Sequence, residues 1–287
     1  MAFHGIAAST ERHGGRSLQS IPYPPGIVQT YLAEVIEVNR EELLEKHRWL
    51  TFVLPLAVFL LAGSLEPKQP AAEASGIAAG WPFIPYACYP LVYALKLALT
   101  VAAVLFVLPG YRQFPWRVTP LAVFVGAAGA LLWVGICRLH LEARLLEPLG
   151  LGKFLDLGVR SAYNPLEELA ARPALAWGFF ALRWFGMAVV VAVAEEFFVR
   201  GFVVRFAVAP DWWAVPFGKV NAAAVLAGTL VPMLMHPAEL FAAAAWFSLV
   251  TWLMVRTRSI WDCVVAHGVT NLLLGVYVVF SNDWFLI

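Results

Sequence analysis

Of 287 residues, 61% are hydrophobic and only 14% charged, and the mean hydropathy is +0.74; that is more apolar surface than a soluble domain of this length buries, so lipid is the solvent for most of the chain. Twenty Lys and Arg against nineteen Asp and Glu leave a net charge of +1, which gives no field for gathering nucleic acid. Cys88, Cys137 and Cys263 are odd in number, far apart and in no CxxC spacing, which speaks against both a disulfide framework and a thiolate metal site and leaves them as small apolar side chains.

Residues 1–26 hold no apolar run of the kind a signal peptide needs, so insertion relies on later segments. Residues 27–48 interleave apolar positions with Glu34, Glu37, Arg40, Glu41, Glu42, Glu45, Lys46 and Arg48, the pattern of an amphipathic helix at or outside the bilayer surface. Residues 1–48 are thus expected as an N-terminal segment and 49–287 as a transmembrane bundle. Apolar runs at 49–65, 88–109, 119–137, 174–205, 220–236, 238–255 and 260–280 predict an all-α polytopic bundle of about seven spans, six to eight within boundary error, each long enough to approach the thickness of the hydrocarbon layer. The Pro-, Gly- and Ala-rich stretch after the first span reads as a loop. The stretch Arg138 to Arg172 reads as a longer loop with a surface helix.

Five Lys and Arg precede the first span and Lys68 alone occupies the loop after it, so the positive-inside rule places the N-terminus in the cytoplasm. The loops with Arg112 and Arg117, and with Arg256 and Arg258, then share that side. The 138–173 loop, with five basic residues, dissents.

Chemistry concentrates at three places. In AVAEEFFVRGF, Glu195, Glu196 and Arg200 interrupt an apolar helix, where each ionised side chain costs about 2.5–3.5 kcal/mol at membrane depth. Glu196 and Arg200, at i,i+4, share a face and can pair. Glu195 is turned about 100° from Glu196 and is left to face a polar cavity as a base, since poor solvation raises a carboxyl pKa toward the useful range. The structural alternative has these charges snorkelling from a helix end. In VPMLMHPAEL, Pro237 disfavours helical geometry at His236, and irregular backbone within a membrane lines polar cavities; an interfacial His is the alternative. Glu239, three residues on, is either a partner for this His or, the preferred reading, a solvated turn residue. In VVAHGVTNLLL, His267 and Asn271 at i,i+4 present an imidazole and an amide to one point, suited to holding a water or a metal or donating to an oxyanion, with helix–helix hydrogen bonding as the alternative.

A bundle can converge Glu195, His236, His267 and Asn271 on one cavity. Glu195, His236 and His267 would also suit zinc with one open position, although HExxH is absent; no GxSxG supports a serine mechanism. Two other classes fit a polar cluster in a membrane. One is a non-catalytic scaffold or immunity-type protein. The other is a proton-coupled carrier, for which paired halves with broken helices are missing.

AEEFFVRG resembles the EExxxR motif, and AHGVTN the HxxxN motif, of the CAAX endopeptidase and bacteriocin-processing family of intramembrane proteases, with His236 in the intervening motif; the likeness spans about 174–280. The ending VVAHGVTNLLLGVYV and the loop WWAVPFGKVN look most like the CAAX-protease-related proteins associated with bacterial exosortase systems. The resemblance implies an intramembrane endopeptidase of the bacterial inner membrane acting on a membrane-associated or lipid-anchored protein, with an exosortase sorting system as a partner. In it, Glu195 and His236 activate water, His267 and Asn271 stabilise the oxyanion or help hold the water, and Glu196 and Arg200 shape the site. The family commonly has FxxxH at the middle motif, whereas this chain has Pro232 four residues before His236.

Overall fold

In the computed structural model, residues 39–67, 84–151 and 163–286 are described. The chain divides into Met1–Arg40 and a larger unit, Glu41–Ile287, which contains the helical bundle. Most of the expected amphipathic helix and part of each long loop lie outside the described residues. Residues 39–46 are helical, with Leu44 buried and Glu41, Glu42 and Glu45 exposed.

Seven helices follow: α1 Leu50–Gly63, α2 Tyr89–Tyr111, α3 Pro120–Cys137, α4 over 173–208, α5 Ala222–Leu234, α6 Leu240–Thr257 and α7 Ile260–Ser281. Two single-turn pieces, Leu141–Leu146 and Pro165–Glu168, lie between α3 and α4. No strand occurs among the described residues, and the chain is an all-α, multi-pass membrane protein. Helices stand at all seven expected places, within about four residues at each boundary. Four are long and apolar enough to cross a membrane: Tyr86–Tyr111, Pro120–Cys137, Pro237–Thr257 and Ile260–Ser281. By contrast α1 and α5, with 14 and 13 residues, reach only about 20 Å at 1.5 Å per residue, short of a hydrocarbon layer of about 30 Å. A helix of that length ends inside the layer, and α5 ends just before His236.

Helix α4 is continuous but not uniform. Two π-helical stretches, Gly186–Val191 and Phe197–Val203, flank a short α-helical turn, Ala192–Glu196. Such widened turns break the i−4 ladder and recur at functional sites.

Large apolar side chains such as Leu91, Phe124, Leu131 and Phe280 point outward, 71–86% exposed, as lipid-facing surfaces require. Between helices, small residues allow close approach, the packing mode that works where lipid gives no hydrophobic drive. A Cβ on Gly268 would stand 2.6 Å from the Ala188 carbonyl oxygen, and one on Gly129 2.5 Å from the Trp246 indole nitrogen, so α7 lies hard against α4, and α3 against α6. Thr270 ties α7 to α3 by donating to the Gly126 carbonyl at 2.9 Å.

Connections gather at two ends. At the first end, Asp262 accepts from Thr119 N at 2.7 Å, Trp261 Nε1 donates to Phe114 O, and Arg205 donates to the Val215 and Trp213 carbonyls at 3.0 and 2.8 Å. These bonds tie the α2–α3 turn to the start of α7 and close the α4–α5 turn on α4, and the Arg205 guanidinium over the Phe114 ring at 5.9 Å links the two. The second end joins Asn164 to Asn282, Arg138 to the Tyr277 ring and Glu142 to the Phe241 amide.

Candidate active site

The site grows from the polar side chains that each element turns into the bundle. In α4, Glu196 and Arg200 pair as their spacing predicts, Nε to Oε2 at 3.4 Å, both without solvent exposure. The Arg200 guanidinium also donates to the Phe247 carbonyl at 3.0 Å and lies over the Phe247 ring. This neutralises a charge that hydrocarbon would expel, and it removes the snorkelling alternative, since Arg200 points inward. Glu195, one residue earlier, is turned away and lines a cavity of about 360 Å³ together with His236, His267 and Asn271. Residues from α4, α7 and the α5–α6 turn thus meet at one place.

His267 is held from both sides. Its Nδ1 faces Glu196 Oε1 at 3.0 Å, its Nε2 lies 3.9 Å from Glu195 Oε2, and the Trp246 ring packs edge-on at 4.6 Å. A carboxylate paired with Arg200 is an acceptor, so Nδ1 carries a proton and Nε2 is the nitrogen turned to the cavity chemistry. Glu196 therefore does more than pair with Arg200: it accepts from His267 Nδ1 and orients the imidazole.

His236 has non-helical dihedrals, φ −123° and ψ 60°, the effect expected of the following Pro237. Its Nδ1 meets the Pro232 carbonyl at 2.9 Å. A carbonyl only accepts, so in neutral His236 the proton sits on Nδ1 and Nε2 keeps its lone pair. The departure at Pro232 thus supplies the group that sets this tautomer. The rings of Trp133 and Phe247 pack on His236 at 5.6 and 5.4 Å.

Asn271 departs from expectation. Its amide donates to the Met187 carbonyl at 2.9 Å, in the first π-helical stretch of α4, so one amide hydrogen joins helices instead of pointing beside His267. Glu239 is also corrected: it is 4% exposed, not a solvated turn residue, because the α5–α6 turn lies within the bundle.

The zinc reading can be tested on the donors. Zinc needs three protein ligands at about 2.0–2.2 Å from one point. Among the described residues no group of three or more His, Cys, Asp or Glu is placed to hold a metal ion. Both Nδ1 atoms are already turned, to Glu196 and to Pro232 O, and the donors do not meet the requirement in this arrangement. Cys137 and Cys263 are buried, as small apolar side chains are.

Sequence reasoning missed the rest of the cavity wall. Lys96, ion-paired to Glu66 and packed on the Phe59 and Tyr93 rings at 4.1 and 4.4 Å, lines it, as do Arg183 and Trp246. Lys96 is the one charge in the 88–109 run, and an intramembrane charge is by itself a pointer to a functional cavity. Trp246 left no such signal, because an indole in an apolar helix looks like core.

Residues 177–273, about a third of the chain, match the family model described as type II CAAX prenyl endopeptidase Rce1-like. The matched segment holds the four residues expected to carry the chemistry, Glu195, His236, His267 and Asn271. No curated protein and no solved structure matches the chain significantly.

Proposed function

We propose that this protein is an intramembrane endopeptidase that hydrolyses a peptide bond of a membrane-associated protein with a water activated by its own side chains. The observation that carries the reading is the convergence of Glu195, His236, His267 and Asn271 on one cavity inside an apolar bundle, within the segment that matches a protease family. Burying such groups is costly, and the cavity offers them a common use.

In this mechanism, Glu195 takes one proton of a water as it attacks the scissile carbonyl, and the Nε2 lone pair of His236 orients that water by accepting from its other O–H. His267, its ring held by Glu196 at Nδ1, turns Nε2 toward the oxygen and, when that nitrogen carries a proton, donates to it as negative charge develops. Asn271, with one amide hydrogen still available beyond its bond to Met187 O, assists there and holds α7 to α4. The proton collected by Glu195 then passes to the leaving amine. Dry walls of Trp133, Trp246 and Phe247 strengthen each of these interactions. The role beside an exosortase system rests on the likeness of the α7 sequence and the α4–α5 loop.

Comparison of membrane proteomes from cells carrying the wild-type chain or Glu195→Ala tests the reading. Fragments present with the wild type are expected to vanish with the variant while the protein still accumulates in the membrane. Undiminished fragments in the Glu195→Ala cells would remove Glu195 from the chemistry.

A further inference from the structure

The cavity is closed at one end of the bundle and lined by connections only at the other. Its lining residues outside the seven helices are Glu66, His236 and Leu286, all from the second end, and Tyr89 begins α2 there. Glu195 and His267 form the deep part. Between them and the first end stands an aromatic and aliphatic plug: Phe52, Val107, Tyr111, Phe197 and Ile260 are at most 3% exposed, with Tyr111 stacked on Phe197 at 3.7 Å and Trp261 edge-on to it at 5.4 Å. No residue of the 112–119, 209–221 or 258–259 turns lines the cavity. A substrate therefore reaches Glu195 from the second end's half of the membrane.

The two ends differ in charge. The short turns and helix ends at the first carry Arg48, Arg112, Arg117, Lys219, Arg256 and Arg258; at the second, 235–239 and 282–286 carry no Lys or Arg, and the described basic residues there, Arg138, Arg144 and Arg172, all belong to the single long α3–α4 connection. Basic residues close to the ends of spans are retained on the cytoplasmic side, which makes the first end cytoplasmic.

We propose that the cavity is entered from the non-cytoplasmic side, so that its substrates are segments already carried across the bilayer and not cytoplasmic tails. The substrate half of this statement rests on the protease reading above; the sidedness does not. A cysteine lipidated in the cytoplasm would lie at the plugged end, so a prenyl group added there is not what the cavity receives.

Two exposed positions report the sides: Leu149, 70% exposed, at the second end, and Trp116, 73% exposed, at the first. Full-length Leu149→Cys and Trp116→Cys chains are made in a Cys88→Ala background, whose remaining Cys137 and Cys263 are buried. Intact cells are treated with a membrane-impermeant maleimide. Leu149→Cys should label from outside and Trp116→Cys only after permeabilisation. The reverse pattern, labelling of both from outside, or a Leu149→Cys that labels only after permeabilisation overturns the proposal. Should either variant fail to accumulate, full-length fusions after residue 287 give the same answer. Alkaline phosphatase should be active and green fluorescent protein dark, and the opposite result overturns it. If the fragments lost in Glu195→Ala cells prove to be cut in cytoplasmic segments, the sidedness is wrong and the protease reading stands. If no fragment depends on Glu195, the protease reading fails while labelling still decides the side.

Discussion

The Glu196 carboxylate serves two partners, Arg200 at 3.4 Å and His267 at 3.0 Å, and both roles can be separated by substitution. Glu196→Gln leaves a fully buried guanidinium without its counter-charge, and breaking such a pair costs about 3–5 kcal/mol. The same cost attends Arg200→Leu. Because replacing both members by apolar groups removes the burial penalty along with the attraction, Glu196→Leu with Arg200→Leu is expected to recover much of the lost thermal stability. It should not recover turnover, since His267 then lacks its orienting acceptor. A double variant as active as the wild type in a cleavage assay would show that Glu196 acts only on the fold. The i,i+4 spacing made the Arg200 contact legible in the sequence, whereas the His267 contact joins residues 71 positions apart and no local pattern announces it. The same limit hid the Pro232 carbonyl behind His236 and the burial of Glu239, which depend on how deep the α5–α6 turn sits.

At the scale of the helix, the decisive feature is the pair of π-helical stretches in α4 around Glu195. The first exposes the Met187 and Ala188 carbonyls toward α7, where Asn271 bonds to one and Gly268 packs on the other. A side chain at Gly268 meets backbone, which cannot step aside as a flexible side chain can. Gly268→Ala should therefore pry α7 from α4, costing about 1–3 kcal/mol, and should lower turnover by moving His267. Gly178, in the same α4 but with nothing within 4 Å of its added Cβ, is the control. There, Gly→Ala should be neutral or stabilising by up to about 1 kcal/mol, the helix-propensity difference. Equal thermal shifts for the two variants would refute the close-approach account. Helix positions were readable because apolar runs of the right length leave few options in lipid. The π turns were not: composition on either side of Glu195 is ordinary, and the first stretch packs against α7 and the second against α1 and α5, contacts that no local pattern announces.

The whole molecule shows why a match over 177–273 does not by itself make a site. The α7 face that carries His267 is packed by α3 through Thr270 and Gly126, and α4 is packed by α1, where Phe52 lies against Gly201. Five cavity-lining side chains of the first half, Phe59, Tyr89, Tyr93, Lys96 and Trp133, come from α1, α2 and α3, outside the matched segment. Without them His267 and Glu195 would face lipid, which provides neither the water to be activated nor partners for the charges. Helices that insert separately can still associate afterwards through close packing. Chains 1–151 and 163–287, expressed together, are thus expected to co-purify and to restore cleavage in cells that lack the intact protein. Neither half should do so alone, and the second half alone should be poorly retained in the membrane although it contains every proposed catalytic residue. Cleavage at the intact rate by 163–287 alone would mean that α1 to α3 merely surround a site that the last four helices complete by themselves.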